Sequence, residues 1–167
     1  MSERVFVLLA FASAIGCGLN AGVFFAFSSF VMPALARLPS PQGIAAMNSI
    51  NLLAVTAVFM TALFGTAGAC LLLCVWTLMT WQRPGASYLA AGAAIYLVGT
   101  ILVTIVFNVP RNNTLAALNP SSSDSGRLWT AYVAGWTGWN HVRTTAALIA
   151  AALLMIGFCL SRDRGVA

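Results

Sequence analysis

Four long apolar stretches dominate the pattern of hydrophobic and polar positions along the chain. They cover about residues 4–32, 51–81, 86–109 and 140–160. Each is long enough to supply the roughly 20 apolar residues that a helix needs to cross a bilayer. Pro33 and Pro110 follow the first and third stretches, where a proline is expected to end a helix. The pattern predicts an all-α integral membrane four-helix bundle, formed by residues 1–167 as a single domain.

The connections and the last helix add two expectations. Only residues 82–85 join the second and third stretches, which predicts that these helices are antiparallel neighbours. The last helix has an N-cap signal at Asp124 or Ser125. From there it is about 50 Å long at 1.5 Å per residue, against an apolar core of about 30 Å. We therefore expect its first third to lie partly outside the membrane, or in the headgroup layer where tryptophan is enriched. This third contains Trp129, Tyr132, Trp136 and Trp139.

Charge is scarce and sits at the ends of the apolar stretches. The chain is 60% hydrophobic and 7% charged, whereas a soluble domain carries about 25% charged residues. Eight basic residues, all arginine, and three acidic ones give a net charge of +5. Because these arginines flank apolar stretches and do not form a wetted basic surface, we exclude a nucleic-acid partner. The four cysteines lie within apolar stretches and predict buried thiols without a disulfide.

The same charges bear on localisation. The apolar run at the N-terminus, residues 5–32, is about twice the usual length of a signal-peptide core, so we interpret it as a retained first span. Arg4, Arg83, Arg162 and Arg164 lie on the side of the two termini, and Arg37, Arg111 and Arg127 lie on the other side, with Arg143 as a further candidate. The positive-inside rule then slightly favours termini in the cytoplasm, in a bacterial inner membrane.

Polar side chains gather at one end of the predicted bundle. We call it the outer end and define it by the two longer connections, residues 37–50 and 111–125. The residues at or near it are Asn20, Asn48, Asn51, Asn108, Arg111, Asn112, Asn113, Trp136, Trp139, Asn140, His141 and Arg143. Polar groups in a membrane span are costly and are usually functional. The asymmetry predicts a cavity between the helices that opens toward this end.

Helical geometry leaves several roles open. Trp136, Asn140 and Arg143 are spaced i, i+4 and i+7 and share a face, whereas His141 is about 100° from Asn140 and about 200° from Arg143. We therefore expect His141 and Arg143 to point to different places. Arg143 is either a ligand-binding group or an interface anchor, and His141 either acts in catalysis or makes a structural hydrogen bond. Three asparagines either bind substrate or form an interhelical amide network: Asn20, Asn108 and Asn140.

Motifs for metals and cofactors are missing from the sequence. There is one histidine, and no acidic residue lies inside a span, so an ordinary metal site and a bis-histidine haem are not expected. A proton-coupled pump is equally disfavoured because no span contains a carboxylate. We predict a protein that uses neither metal nor organic cofactor.

Four segments of the chain resemble a known family. They are residues 24–35 (FFAFSSFVMPAL), 104–112 (TIVFNVPRN), 129–132 (WTAY) and 136–144 (WTGWNHVRT). Together they are similar to the anthrone-oxygenase-like membrane family, long known as a domain of unknown function, and the resemblance extends over nearly the whole chain. It implies a four-helix membrane fold. Some fungal members of the family are implicated in the oxidation of anthrones to anthraquinones, so the resemblance also implies that reaction.

The residues at the outer end suit that chemistry. Deprotonation of an activated carbon between two aryl rings calls for a general base such as His141. Arg143 and Asn140 would stabilise the developing enolate, which makes these three the predicted catalytic residues. The predicted substrate-binding residues are Asn20, Asn108, Arg111, Asn112, Trp136 and Trp139, since amides and arginine bind oxygen atoms and indoles stack on a flat polycycle.

The predicted function is therefore a cofactor-independent oxygenase that acts on an anthrone or a related hydrophobic phenol or quinol. The alternative is a non-catalytic membrane module that binds a lipid or quinone, or a subunit of a membrane assembly; Arg111 and Arg143 would then hold a lipid phosphate. A small-solute transporter is disfavoured, because no inverted repeat is evident. The expected partners are the membrane and a hydrophobic small molecule or lipid, and four spans leave a homo-oligomer open.

Overall fold

The structure, a computed structural model that describes residues 3–162, is built from helices, with no β-strand among these residues. We number five helices along the chain. Helix α1 consists of Glu3–Ala26, the π-helical turn Phe27–Val31 and the α-helical turn Met32–Leu35; α2 is Ser40–Ala54; α3 is Ala57–Met79 and includes a π-helical turn, Thr61–Gly65; α4 is Ala86–Ala116 and includes two, Leu97–Leu102 and Thr104–Asn108; α5 is Ser125–Arg162.

Helices α1, α3, α4 and α5 are each long and apolar enough to cross a membrane. This confirms the predicted all-α membrane fold with four spans, and α5, with 38 residues, is the predicted long last helix. Helices α3 and α4 pack against each other across their short link. Gly85 allows this link because its φ is +78° and a Cβ there would lie 2.4 Å from the Gly157 carbonyl oxygen.

Two helices do not end where the prolines predict. Helix α1 continues through Pro33 to Leu35, and α4 continues through Pro110 to Ala116. A proline clashes with the carbonyl four residues earlier and lacks an N–H to bond it. In both helices a π-helical turn precedes the proline, at Phe27–Val31 and at Thr104–Asn108. The wider turn displaces that carbonyl, so the helix absorbs the proline without ending.

The second long apolar helix begins at Ala57 and not at Asn51. Asn48 and Asn51 belong to α2, which a break at Val55 and Thr56 separates from α3; Thr56 has extended backbone angles. Helix α2 packs against α5 and the end of α4. The two asparagines therefore belong to a helix that covers the outer end of the bundle.

Two apolar clusters hold the molecule together. In the inner one, α5 packs against α1 and α4 around buried side chains such as Tyr96 and Leu154. The four cysteines are free thiols. Cys17 and Cys70 are buried in this cluster with their sulfurs 3.9 Å apart, whereas Cys74 is half-buried and Cys159 is exposed, so the prediction of four buried thiols is wrong for these two. The second cluster lies at the outer end and joins α2 to the first third of α5. Its members are Met32, Ile44, Met47, Leu115, Trp129, Tyr132 and Trp136.

Other helices cover the first third of α5. Trp129, Tyr132 and Trp136 are all buried, because α2 and the end of α4 pack over them. The closest approach is at Gly43 of α2, where a Cβ would lie 2.7 Å from the Trp129 ring. At the opposite end, Arg4, Arg83 and Arg162 are exposed, and the predicted anchor Arg164 lies outside the described residues.

Candidate functional site

A cavity of about 410 Å³ lies toward the outer end, between α1, α2, α3, α4 and α5. This is where the clustered polar residues predict one, and the volume falls in the range of small-molecule sites. Its walls are mostly apolar. The lining residues are Val23, Phe24, Phe27, Met47, Ile50, Asn51, Leu53, Ala54, Val55, Phe59, Met60, Leu63, Thr104, Asn108, Val109, Asn112, Trp136 and Arg143.

Among the described residues that line this cavity, Arg143 is the one that carries a charge. It is only 5% exposed, and its Nη1 donates a hydrogen bond to Thr104 Oγ1 (3.3 Å) while its Nη2 donates to Asn140 Oδ1 (2.5 Å). Its Cζ lies 4.4 Å from the centre of the Phe24 ring and 5.1 Å from that of Trp136, close enough for cation–π attraction. Its Nε is buried without a hydrogen-bond partner.

No carboxylate among the described residues pairs with Arg143. The chain has three acidic residues, Glu3, Asp124 and Asp163, and Asp124 pairs instead with Arg127 at 3.6 Å, where both side chains are exposed. Removing a charge from water carries a penalty of several kcal/mol, which an opposite charge normally offsets. The hydrogen bonds and ring faces around Arg143 supply only part of that compensation, so this guanidinium can still attract an anion.

Asn140 positions the guanidinium. Its Nδ2 donates to the Phe24 carbonyl (2.7 Å) and to Ser28 Oγ (2.6 Å), and its Oδ1 accepts the bond from Arg143. Asn140 is fully buried but does not itself line the cavity. It therefore holds the Arg143 side chain against α1 from outside the cavity and is a positioning residue.

Ser28 and Thr104 are functional candidates that sequence reasoning missed. Both lie in the π-helical turns that precede Pro33 and Pro110. A π-helical turn carries an extra residue, so it changes which side chains face the neighbouring helix. The available signal was a hydroxyl residue five or six positions before a proline in an apolar stretch.

Asn20 and Asn108 tie helices together. Asn20 Nδ2 donates to the Gly16 carbonyl of its own helix and to the Ala62 carbonyl of α3, at 2.8 and 3.0 Å. Asn108 Nδ2 donates to the Trp136 carbonyl at 3.2 Å and so joins α4 to α5. With Asn140, these bonds form the interhelical amide contacts that were one interpretation of the sequence. Asn108 also lines the cavity, whereas Asn20 does not.

Asn112 and Arg111 lie on different sides of α4. Asn112 lines the cavity and its Oδ1 accepts a hydrogen bond from the Tyr132 hydroxyl at 3.0 Å. Arg111 lines a separate cavity of about 230 Å³ and donates to the Phe107 carbonyl at 2.7 Å. The structure therefore brings Asn112, but not Arg111, to the Arg143 site.

The two tryptophans of the 136–144 segment also separate. Trp136 is buried and lines the cavity. Trp139 stacks on the Phe107 ring at 3.5 Å with an interplanar angle of 5°, and it is not among the lining residues. Trp136 is thus the indole available to a ligand.

His141 lies away from the cavity. Its side chain is exposed and faces a shallow groove of about 330 Å³ between α1 and α5, beside Pro33 and Thr137. Arg143, two residues on, is buried in the bundle. The expectation that these two side chains point to different places is confirmed, and the cavity side belongs to Arg143.

The arrangement suits binding of a hydrophobic molecule with an electron-rich oxygen. Apolar and aromatic walls bury its body, and Arg143 with neighbouring amides meets its oxygen. Among the described residues, no group of three or more His, Cys, Asp or Glu is placed to hold a metal ion.

A sequence model of a protein family described as anthrone oxygenase matches residues 56–153, more than half of the chain. The matched segment contains Asn108, Trp136, Asn140 and Arg143, whereas α1 and α2 lie before it. Comparison with curated proteins and with solved structures gives no match.

Proposed function

The chain belongs to the anthrone oxygenase family, and on that basis we propose that it is a membrane-embedded oxygenase that oxidises an anthrone or a related hydrophobic phenol or quinol without a cofactor. The observation that carries the proposal is the buried Arg143 in the wall of an apolar cavity of about 410 Å³, with which no carboxylate of the described residues pairs.

Arg143 would act on the substrate's oxygen. Loss of a proton from the carbon between the two aryl rings puts negative charge on the anthrone oxygen as an enolate. A buried guanidinium held in place before the reaction stabilises this charge more than water does, because it needs no reorganisation. Asn140, Ser28 and Thr104 provide that preorganisation through the bonds to Arg143 and Asn140.

The remaining steps need only oxygen and the substrate's own electrons. The carbanion reacts with O2 to form a C–O bond, and loss of water from the resulting hydroperoxide leaves a carbonyl. In balance, the methylene group and one molecule of O2 give one carbonyl group and one molecule of water. His141 lies outside the cavity, so in this proposal the proton passes to water, and the enolate is favoured by Arg143.

Isotope labelling tests the reaction. Protein purified in detergent is supplied with anthrone under 18O2, and the product is analysed by mass spectrometry beside a protein-free sample. We expect anthraquinone carrying one 18O atom, formed with one O2 consumed per product and faster than in buffer. Product formation no faster than in buffer, or product without the label, would show that this protein is not an oxygenase for this substrate.

A second function is favoured by the rim of the cavity. Leu53 and Val55 line the cavity and are 67% and 71% exposed, so a molecule dissolved in the membrane has apolar contacts on its way in. A non-catalytic module that holds a lipid or quinone would use the same route. Mass spectrometry of gently purified protein separates the two: a stoichiometric lipid or quinone, together with no oxygen uptake, favours the binding module.

A further inference from the structure

We propose that this cavity is selective for hydrophobic anions: it takes a ligand with a single negative charge shared by oxygen atoms, either a carboxylate or an ionised phenol, and it discriminates against the neutral form of the same molecule. The inference rests on the proposed site at Arg143. It adds that the cavity prefers the ionised form of its ligand to the neutral form, whether or not the protein then oxidises it. For an anthrone the ionised form is the enolate.

The charge balance of the bundle is the first reason. Arg143 is 5% exposed, and no acidic side chain of the described residues pairs with it. Charged residues within membrane proteins are normally paired. None of the described residues supplies the opposite charge, and the cavity beside Arg143 is a place where a ligand can supply it.

The unused hydrogen-bond donors are the second reason. A guanidinium has five N–H groups. In Arg143, Nη1 donates one hydrogen bond to Thr104 and Nη2 donates one to Asn140. Its Nε is buried without a partner, and so are Asn51 Nδ2 and Trp136 Nε1 of the same cavity wall. The corresponding unpartnered acceptor among these lining residues is Asn108 Oδ1. A wall with more spare donors than acceptors suits a group that only accepts hydrogen bonds, as an ionised oxygen does.

The residues that line the cavity indicate that the ligand carries a single negative charge. Arg143 is the single cation among the lining residues, and most of the others are apolar. A dianion such as a phosphate monoester would leave one charge uncompensated in an apolar site, which is unfavourable. An inorganic monoanion would leave the apolar walls without a partner. A hydrophobic molecule with one negative charge matches both the single charge of Arg143 and the apolar walls.

Two sources can supply such a ligand. One is a flat aromatic acid or phenol, and the other is the carboxylate of a membrane-derived fatty acid. The exposed apolar residues Leu53 and Val55, at the break between α2 and α3, suit either source, because they give the cavity an apolar opening at the protein surface. The shared chemistry is the ionised oxygen on an apolar body, and competition distinguishes the sources.

Fluorescence titration with a matched pair of probes tests the proposal. The anion is 9-anthracenecarboxylate and the neutral analogue is 9-anthracenemethanol; neither carries the oxidisable methylene of an anthrone. We expect wild-type protein in detergent to bind the anion on the order of 10- to 100-fold more tightly, as hydrogen bonds to charged groups predict. Equal binding of the two probes would overturn the proposal.

Variants assign the discrimination to Arg143. Arg143→Gln should bind both probes alike, and Arg143→Lys should keep part of the preference because it keeps the charge.

Asn140→Asp distinguishes a loss of selectivity from a folding defect. It places a carboxylate next to the guanidinium, which stabilises the charge internally and should abolish the preference for the anion in a folded protein. Arg127→Gln is the matched control, since it removes an exposed arginine of the same helix and should leave the preference unchanged. Full discrimination in Arg143→Gln or in folded Asn140→Asp would overturn the assignment.

Competition with oleate identifies the source. Displacement of the bound probe shows that the site takes a fatty-acid carboxylate, whereas no displacement, in a protein that still discriminates between the probes, restricts it to flat aromatic anions. The outcome is separable from that of the labelling experiment. Anion selectivity without oxidation of anthrone would support this inference and contradict the proposed function. Oxidation of anthrone without anion selectivity would support the proposed function and contradict this inference.

Discussion

At the residue scale, the sequence shows which side chains are unusual but not which of them meet. The spacing of Trp136, Asn140 and Arg143 places them on one helical face, and all three are buried. The same spacing separates His141, which is exposed. The hydroxyl partners Ser28 and Thr104 could not be found in this way, because the π-helical turns that contain them break the 3.6-residue period on which such reasoning depends.

His141→Ala is therefore the variant that separates the sequence-based assignment from the geometric one. Because His141 lies outside the cavity, we expect its loss to change the rate of anthrone oxidation by less than about twofold, well below the 10²- to 10⁴-fold contribution of a general base. Oxygen-electrode measurements on the purified variant check this. A loss of 100-fold or more would show instead that His141 is the base and that the cavity is not where the proton is removed.

Ser28→Ala tests whether Asn140 needs its hydroxyl partner. The change removes one hydrogen bond to a buried amide that keeps its bond to the Phe24 carbonyl. We expect a loss of about 1 kcal/mol in the free energy of unfolding, and a larger effect on the oxidation of anthrone than Ser29→Ala, whose hydroxyl bonds only within α1. Thermal unfolding in detergent, followed by circular dichroism, gives the first quantity. Equal effects of the two substitutions would remove Ser28 from the site.

At the element scale, long apolar stretches predict the helices, but prolines and polar residues mislead about their ends. Pro33 and Pro110 do not stop α1 and α4, since the preceding π-helical turns accommodate them. The apolar stretch from Asn51 to Trp81 does not form one helix, because Val55 and Thr56 break it. As a result α2 folds over the outer end and provides part of the cavity wall, an arrangement that hydrophobicity alone does not specify.

The packing of α2 on α5 gives a prediction about glycine. A Cβ at Gly43 would lie 2.7 Å from the buried Trp129 ring, whereas one at Gly138 of α5 would meet nothing within 4 Å. Gly43→Ala should destabilise the protein by about 1–3 kcal/mol through overpacking and shift Trp129 fluorescence. Gly138→Ala, the matched control, should stabilise α5 by roughly 0.5–1 kcal/mol. A harmless Gly43→Ala would mean that α2 does not lie against Trp129.

At the scale of the whole molecule, the bundle has two unlike ends. The cavity and α2 lie at the outer end, together with the buried Asn108, Asn140 and Arg143, and the opposite end has no comparable cluster among the described residues. Sequence reasoning predicts this asymmetry well, because polar residues in apolar helices are easy to see. It does not predict that α2 and α4 cover the first third of α5, since tertiary contacts between distant segments leave no periodic signal.

The burial of Arg143 sharpens the prediction of orientation. Because this residue sits inside the bundle, it does not count as an interfacial charge. The comparison becomes four arginines on the side of the termini against three at the outer end. The positive-inside rule then predicts cytoplasmic termini. A C-terminal green fluorescent protein fusion should fluoresce, and a C-terminal alkaline phosphatase fusion should be inactive; the opposite pair of results would reverse the orientation.

The most direct test of Arg143 as the centre of the site is a comparison of three proteins. Anthrone-dependent oxygen uptake is measured for the wild type, Arg143→Gln and Arg127→Gln, each shown to be folded by circular dichroism. Loss of one positioned donor to a developing oxyanion lowers a rate by about 10²- to 10³-fold, so we predict at least a 100-fold loss in Arg143→Gln and wild-type rates in Arg127→Gln. Wild-type oxidation by folded Arg143→Gln would contradict the account.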